Sequence, residues 1–308
     1  MRRIAPDYYP VFSCIAGDCG HSCCVGWEID IDEGTYAYYR TLPGEIGERI
    51  RAGIAEEDGC THFVLCGEEE RCPFLNSGGL CDIILTLGEG ALCQICTDHP
   101  RYRNAYADCE ELGLGLCCEA AAALILGWEK PVTLISLSDD GGEAAPDPHE
   151  AAMLAVRDAA IAVLQDRTRP MDARIAAMLA QNGAERCEKS PVGWAEFLLS
   201  LEILDPAWEG MLGRLHGAIP SVSLPEGAAE QLAVYLVYRH FPKIPDGESC
   251  GVLAAFTAFA YDLVSWLYAA AQTQSFDVLC DIVRMFSSEI EYSEDNLYAV
   301  FDEIAAGL

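Results

Sequence analysis

Positive charge is scarce in this 308-residue chain, which has 19 lysine and arginine residues against 49 aspartate and glutamate residues. A formal net charge of −30 argues against nucleic acid as a partner, because phosphate binding depends on clustered lysine and arginine. It argues equally against an anionic lipid surface. The acidic residues are spread along the whole sequence, which suits a protein that meets a basic or lysine-bearing partner. Simple solubility explains the same charge equally well.

Long uncharged apolar segments are also absent. The most apolar stretch, residues 252–271, contains Asp262 and falls short of the roughly 18 uncharged residues that a membrane span needs. The opening residues, MRRIAPDYYPVF, lack the apolar core of a secretory signal. We therefore expect no membrane association and a cytoplasmic location, where disulfide bonds are uncommon.

Cysteine, in contrast, is abundant. The chain has 16 cysteines, and all but Cys187, Cys250 and Cys280 lie within residues 1–118. In a reducing compartment, thiols that cluster in this way are more typical of metal binding than of cross-linking.

Composition changes along the chain. Residues 1–145 are rich in cysteine, glycine and aromatic side chains, whereas residues 146–308 are rich in alanine and leucine with long helical patterns. A run of glycine, proline and acidic residues at 136–150 is typical of a linker, which places a domain boundary at about residue 145. We predict a mainly α protein. It has a cysteine-rich metal-binding N-terminal part with short helices and small β-hairpins, followed by an all-helical C-terminal bundle.

Local patterns in the first part predict short elements. Short apolar runs separated by turn residues predict hairpins within residues 62–81 and 102–116. Short helices are expected at residues 30–40, 82–87 and 119–126. Such small elements bury little core by themselves, so a bound metal would supply the missing cohesion.

Helix starts are easier to identify in the second part. Ser190 and Asp205 each precede a proline, the pattern of an N-cap followed by the first helical residue. A helix is also expected to open at Leu224-Pro225-Glu226, and Ser293 is expected to cap the last one. Residues 252–271 are apolar on nearly every side, which predicts a helix at the centre of the bundle.

The spacing of the N-terminal cysteines indicates a metal site. Close spacings such as Cys93-x2-Cys96 let one turn of chain present two sulfurs to one ion. Thiolate-only ligand sets favour zinc or iron–sulfur clusters. Two sites, or one site with spare cysteines, are both compatible with the number of thiols. The adjacent Cys23 and Cys24 cannot point the same way from an extended backbone, so they serve different sites or one is merely buried.

Three cysteines of the first part, Cys60, Cys66 and Cys109, fit no recognisable spacing. We expect them to be small buried side chains, as free cysteines often are.

Three stretches of the first 130 residues resemble the flagellin lysine-N-methylase family, within the wider group of zinc- or iron-chelating cysteine-cluster proteins. They are residues 6–36 (PDYYPVFSCIAGDCGHSCCVGWEIDIDEGTY), residues 71–101 (RCPFLNSGGLCDIILTLGEGALCQICTDHPR) and residues 113–126 (GLGLCCEAAAALIL). The metal ligands that the resemblance implies are Cys14, Cys19, Cys23, Cys24, Cys72, Cys81, Cys93, Cys96 and Cys117. The family usually has proline after the last of these, where this chain has Cys118, so which of the two is the ligand stays open.

The resemblance implies transfer of a methyl group from S-adenosylmethionine to lysine side chains of flagellin, or of another lysine-bearing protein, with a [4Fe-4S] cluster. Zinc is the alternative metal. The sequence lacks a conventional dinucleotide-type glycine motif, because Gly113-x-Gly115 has no third glycine. The radical type of cysteine motif is also missing, since Cys24 directly follows Cys23. The competing hypothesis is a non-catalytic zinc- or iron-binding protein that acts as a metal-binding or interaction module.

Methyl transfer to lysine requires a neutral amine, so a group that accepts its proton is needed. Asp30, Asp32 and Tyr36 are the candidate catalytic residues, and acidic and aromatic side chains of this kind suit a lysine tip. The same residues also fit a capping pair in front of a helix with aromatic core residues. Arg101 is the candidate for binding the carboxylate of the cofactor, or it forms a surface ion pair.

Overall fold

The computed structural model describes residues 2–57, 59–138, 145–246 and 249–308. The chain divides into two compact units. The cysteine-rich unit is drawn from residues 13–102 and 118–120, and the helical unit from residues 2–12, 103–117 and 121–308. Helices dominate the described residues, so the predicted mainly α class is confirmed.

Six strands and thirteen α-helices are present in the described residues. The strands are β1 (Arg2–Pro6), β2 (Ile54–Glu57), β3 (Cys60–Phe63), β4 (Arg101–Ala105), β5 (Cys109–Leu114) and β6 (Leu134–Ser138). The helices of the first 126 residues are α1 (Glu33–Thr41), α2 (Gly44–Ala52), α3 (Asp82–Leu87), α4 (Gln94–Asp98) and α5 (Glu119–Leu126). The later helices are α6 (Pro148–Leu164), α7 (Met171–Gln181), α8 (Pro191–Leu198), α9 (Pro206–Gly213), α10 (Glu226–His240), α11 (Cys250–Ala270), α12 (Phe276–Phe286) and α13 (Glu294–Ala305).

A small aromatic core supports the cysteine-rich unit. The rings of Phe63 and Phe74 lie 4.9 Å apart, and Tyr39 and Ile50 are fully buried beside them. The predicted helices at 82–87 and 119–126 are confirmed, whereas the one expected at 30–40 begins only at Glu33. The hairpin expected within residues 62–81 lies earlier, because β3 pairs antiparallel with β2.

The sheet of the helical unit has the strand order β4-β5-β1-β6. Strand β1 runs parallel to β5, with Ile4 opposite Glu111, and antiparallel to β6, with Ala5 opposite Ile135. The predicted hairpin within residues 102–116 is confirmed by β4 and β5, and the Tyr106 amide donates to the Cys109 carbonyl at 2.8 Å.

The two compact units do not divide the chain at residue 145. Buried Glu111 of β5 forms an ion pair with buried Arg157 of α6, and the Tyr238 hydroxyl of α10 donates to the Leu112 carbonyl at 3.0 Å. These buried polar contacts hold part of the N-terminal sequence to the helices. Within the segment expected to be a linker, Ser136 and Ser138 belong to β6, α6 begins at Pro148, and residues 139–144 lie outside the described residues.

Helix α11 is the central helix of the bundle, as predicted. Within the described residues, α11 is long and apolar enough to cross a membrane. However, 72% of its most apolar 18-residue stretch is buried inside the protein. Its Asp262 carboxylate accepts a hydrogen bond from Arg186 at 2.6 Å, and burial raises the pKa of Asp262 to about 6. The three predicted caps, Ser190, Asp205 and Ser293, each accept a hydrogen bond from a first-turn amide.

Candidate metal centre

All sixteen cysteines are free thiols. Nine of them, all in the cysteine-rich unit, fall into two neighbouring groups defined by mutual contact and charge interaction. The inner thiol cluster is Cys24, Cys72, Cys81, Cys93 and Cys96. The outer thiol cluster is Cys14, Cys19, Cys23 and Cys118.

Helix starts and backbone pairing assemble the inner thiol cluster on the aromatic core. Cys81 and Cys93 are the residues that immediately precede α3 and α4. Cys96 follows in the first turn of α4, which brings its sulfur to 3.3 Å from that of Cys93. The Cys72 amide donates to the Cys24 carbonyl at 2.8 Å, which joins the first cysteine block to the later ones.

The five cysteines of the inner thiol cluster all pack in or against the same aromatic core, and burial changes their pKa values. A hydrogen bond with Cys93, in which Cys96 keeps the proton, and burial raise the pKa of Cys96, and the charges of Cys93, Cys24 and Cys72 add to this effect. Burial raises the pKa of Cys72 to about 12, with added contributions from Cys24 and Cys81.

Two thiols of this cluster shift the other way: a hydrogen bond with Cys96 lowers the pKa of Cys93, and a hydrogen bond from Cys23 lowers the pKa of Cys24 to about 7. A hydrogen bond from Ser22 and the positive charge of Arg71 act on Cys24 in the same direction.

The outer thiol cluster lies around the Glu119 carboxylate. Its Oε2 atom accepts from the Gly20 amide at 2.9 Å and lies 3.6 Å from the Cys19 sulfur and 3.3 Å from His21 Nδ1. Burial raises the pKa of Cys19 to about 11. A hydrogen bond to Cys24 and burial raise the pKa of Cys23, and the charges of Cys14 and Cys118 raise it further. Cys23 and Cys24 therefore connect the two clusters.

The structure places Cys118, not Cys117, with the N-terminal thiols. Cys118 contributes to the pKa shifts of Cys19 and Cys23 within the cysteine-rich unit. Cys117 belongs to the helical unit, where it is buried and interacts with the Tyr292 hydroxyl. The implied ligand set included Cys117 and omitted Cys118. The sequence shows two adjacent cysteines at this position, and this pattern does not indicate which of them is the ligand.

The remaining cysteines differ in exposure. Cys109 is buried as expected, but Cys60 and Cys66 are exposed, which makes the expectation of burial wrong for these two. Cys60 lies at the start of β3, and Cys66 follows that strand. Their exposure makes them useful reference thiols outside both clusters.

Asp32 has a structural position in this unit. Its carboxylate accepts from the Thr35 amide at 2.9 Å as the N-cap of α1, and from the Gln94 amide at 2.8 Å at the start of α4. These two hydrogen bonds, that of Gln94 first, lower the pKa of Asp32. By capping both helices, Asp32 positions the Cys93-x2-Cys96 turn. The capping interpretation is thereby confirmed for this residue.

The other two catalytic candidates, Asp30 and Tyr36, and the cofactor-binding candidate Arg101 each have contacts elsewhere in the structure. Asp30 is exposed and forms an isolated bridge with His62. The Tyr36 hydroxyl donates to Glu56 at 2.6 Å, and this hydrogen bond raises the pKa of Tyr36. Arg101 donates to the Thr97 carbonyl of α4 at 3.3 Å. Asp30 and Tyr36 thus both contact the β2–β3 hairpin, whereas Arg101 contacts α4.

The donor chemistry of the inner thiol cluster fits a thiophilic metal group, since its five thiols pack in or against one core and none is in a disulfide. The spacing does not form a single-ion site, because no three His, Cys, Asp or Glu side chains of the described residues are close enough to hold an ion. Two sulfurs on one tetrahedral zinc ion lie about 3.8 Å apart, given zinc–sulfur bonds of about 2.3 Å. The cysteines of an iron–sulfur cluster bind separate iron atoms, so the Cys93 and Cys96 sulfurs, 3.3 Å apart, would have to move apart to bind either group.

Comparisons with known proteins find curated relatives that match part of this chain. The chain is 29% identical over 126 residues to a flagellar biosynthetic protein FliU of Salmonella muenchen, a match that covers 39% of this chain and 75% of that protein. It is 28% identical over 134 residues to a lysine-N-methylase of Salmonella typhimurium and equally to one of Salmonella choleraesuis. Each of these matches covers 39% of this chain and 31% of the lysine-N-methylase.

No family model and no solved structure matches the chain. The resemblance to the lysine-N-methylase family that the cysteine-containing stretches indicated is confirmed by these relatives.

Proposed function

We propose that this chain is a protein-lysine N-methyltransferase that acts in the cytoplasm on flagellin or another lysine-bearing protein. The observation that carries the proposal is the inner thiol cluster. Its five cysteines are all positions that match the lysine-N-methylase pattern, and they pack in or against one core from segments spread over residues 24–96. The names of the curated relatives support the same activity.

We assign a [4Fe-4S] cluster to the inner thiol cluster as the group that these cysteines hold. Four of the five thiols suffice for such a cluster, and three leave one iron position open. Metal binding at these thiols displaces their protons, so loading depends on pH. Asp32 holds the Cys93-x2-Cys96 turn in place by accepting from the Gln94 amide.

In the proposed reaction S-adenosylmethionine supplies the methyl group from a positively charged sulfur. The neutral Nζ atom of the substrate lysine forms the new N–C bond while the C–S bond breaks, and the electron pair stays on sulfur. The amine must first lose its proton to solvent water, since its ordinary pKa is about 10.4. The net charge of −30 attracts the lysine-bearing partner. Asp32 is not assigned as the base, because its carboxylate is occupied by two backbone amides.

Anaerobic purification followed by iron and sulfide analysis tests the assignment of the cluster. We expect bound iron and sulfide in the unaltered chain and their loss in Cys96→Ser. The matched control is Cys66→Ser, which removes an exposed thiol outside both clusters and should keep its iron. Unchanged iron content in Cys96→Ser would contradict the assignment.

A methyl-transfer assay with flagellin and S-adenosylmethionine, read by mass spectrometry of lysine peptides, tests the activity. Methylated lysine with the unaltered chain and Cys66→Ser, but not with Cys96→Ser, is the expected result. A chain that holds iron or zinc tightly and transfers no methyl group would favour the second candidate, a non-catalytic metal-binding or interaction module. That candidate is favoured by one observation, since the matched segment covers only 31% of each lysine-N-methylase.

A further inference from the structure

Cys93 and Cys96 form a close pair within the inner thiol cluster, which we call the α4 dithiol. Their sulfurs lie 3.3 Å apart and share a hydrogen bond. The sulfurs of a disulfide are about 2.05 Å apart, and two sulfurs on one tetrahedral zinc ion are about 3.8 Å apart. The pair therefore lies closer than a shared metal ion would place it, and both thiols are free to be oxidised.

The backbone holds the α4 dithiol in this arrangement. Cys93 immediately precedes α4, and its carbonyl accepts from the Thr97 amide at 3.1 Å. Between the two cysteines, the Gln94 amide donates to the Asp32 carboxylate at 2.8 Å. A disulfide here would close only a short loop, so its formation costs little chain entropy. The turn is thus already fixed in a form that keeps the two thiols together.

Other pairings of nearby thiols are less favourable. Cys23 and Cys24 are adjacent, so their Cα atoms are about 3.8 Å apart, below the usual range of about 4.4 to 6.8 Å for a disulfide. The exposed Cys60 and Cys66 are separated by the extended strand β3, which begins at Cys60. Oxidation of the cysteine-rich unit is therefore expected first at the α4 dithiol.

The two thiols differ in their access to solvent. Cys93 is 1% exposed, whereas Cys96 is half-buried. A small disulfide such as oxidised glutathione therefore reaches Cys96 first. The Cys96 sulfur attacks one sulfur of the reagent, the S–S bond breaks, and the released sulfur takes up the Cys96 proton. The Cys93 sulfur then attacks the Cys96 sulfur and releases the second thiol, which takes up the Cys93 proton. The dithiol is oxidised to a disulfide, and the reagent is reduced to two thiols.

We propose that the α4 dithiol is a site of reversible oxidation by low-molecular-weight disulfides, and that its oxidation weakens metal binding at the inner thiol cluster. A disulfide occupies both sulfurs and leaves Cys24, Cys72 and Cys81 as the free thiols of that cluster. Three thiols are fewer than the four that a closed zinc or iron–sulfur site uses. The effect on metal binding rests on the proposed function, whereas the oxidation rests on the geometry of the two sulfurs alone.

Mass spectrometry of the full chain tests the oxidation. The reduced, metal-free chain is treated with oxidised glutathione, alkylated with iodoacetamide and cleaved after Glu89, which separates Cys81 from the α4 dithiol. We expect the peptide with Cys93 and Cys96 to carry no alkyl group and to be about 2 Da lighter than its reduced form, through loss of two hydrogen atoms. Reduction with a phosphine before alkylation should instead give a peptide that is alkylated at both residues.

Variants locate the disulfide. Cys93→Ser and Cys96→Ser should lack it, and Cys93→Ser should retain glutathione on Cys96. The matched control Cys81→Ser removes another thiol packed against the same core and should still form the disulfide. Alkylation of both residues in the glutathione-treated unaltered chain, or a disulfide from either one to a different cysteine, would overturn the proposal whether or not the variants fold.

Titration with zinc ions and a colorimetric indicator tests the effect on metal binding. The oxidised chain should bind zinc at least about tenfold more weakly than the reduced chain, because loss of ligands costs no less than loss of their outer partners. Equal zinc binding by the two forms would overturn this part of the proposal. Neither measurement involves S-adenosylmethionine or methyl transfer. A failed methylation assay with an oxidisable dithiol would therefore count against the proposed function alone.

Discussion

Replacing Asp32 tests whether its carboxylate has a structural role or a catalytic one. Replacement by alanine removes the N-cap of α1 and the acceptor for the Gln94 amide at the start of α4. Loss of an N-cap costs about 1 kcal/mol, and we expect about the same again for the second amide. We therefore expect Asp32→Ala to lower the free energy of unfolding by about 2 kcal/mol. Asp32→Asn should cost about half as much, because one side of its amide still accepts.

Urea unfolding followed by tryptophan fluorescence measures this loss, and hydrogen exchange of the Thr35 and Gln94 amides localises it. Asp30→Ala is the matched control, since it removes the same charge two residues earlier from an exposed side chain. Because the two amides lower the pKa of Asp32 from 3.8, its contribution is present above about pH 4 and is lost as the pH falls further. The reasoning is refuted if Asp32→Ala is as stable as Asp30→Ala and exchange at Gln94 is unchanged.

Three further predictions concern the helical unit. Arg157→Leu should cost about 3 to 5 kcal/mol in thermal unfolding by leaving Glu111 buried without its partner, and adding Glu111→Leu should restore part of that loss. Gly115→Ala should cost about 1 to 3 kcal/mol in urea unfolding, because its Cβ would overlap the Tyr292 hydroxyl. The control Gly210→Ala, which meets no neighbour within 4 Å, should cost nothing. Burial lowers the pKa of His240 from 6.5, so stability in a pH series should decline as the pH falls below about 6.5, but not in His240→Gln.

Local signals account for the parts of this fold that the sequence predicted well. Ser190 and Ser293 are N-caps because a hydroxyl there accepts a hydrogen bond from a first-turn amide. The residues that form such a cap are only a few positions apart, so the local sequence predicts it. The helices at 82–87 and 119–126 also depend on short-range patterns. The start of α1 was placed slightly too early, since the capping residue is Asp32 and the helix begins after it.

Local sequence patterns could not predict which distant segments pair with each other. Ile4 lies opposite Glu111 in a parallel pair of strands, and nothing near either residue specifies the other. The resulting sheet and the buried Glu111–Arg157 ion pair draw residues 2–12 and 103–117 into the helical unit. Composition alone places both of these segments with the cysteine-rich part. A boundary inferred from composition therefore groups all of the cysteine-rich sequence together. It does not show that β1 and β5 pair within the helical unit.

The choice between Cys117 and Cys118 shows the same limit at the scale of one residue. The sequence showed that a ligand was expected at this pair, because the resemblance runs through residues 113–126. The preceding strand β5 continues buried to Leu114, and the adjoining residues 115–117 remain with the helical unit, where Gly115 lies against Tyr292 and Arg239. Cys118 is the first residue after that segment and interacts with Cys19 and Cys23. If the outer thiol cluster binds metal, Cys118→Ser should release metal that Cys117→Ser retains, and the opposite result in metal analysis would show that the pairing of these thiols is wrong.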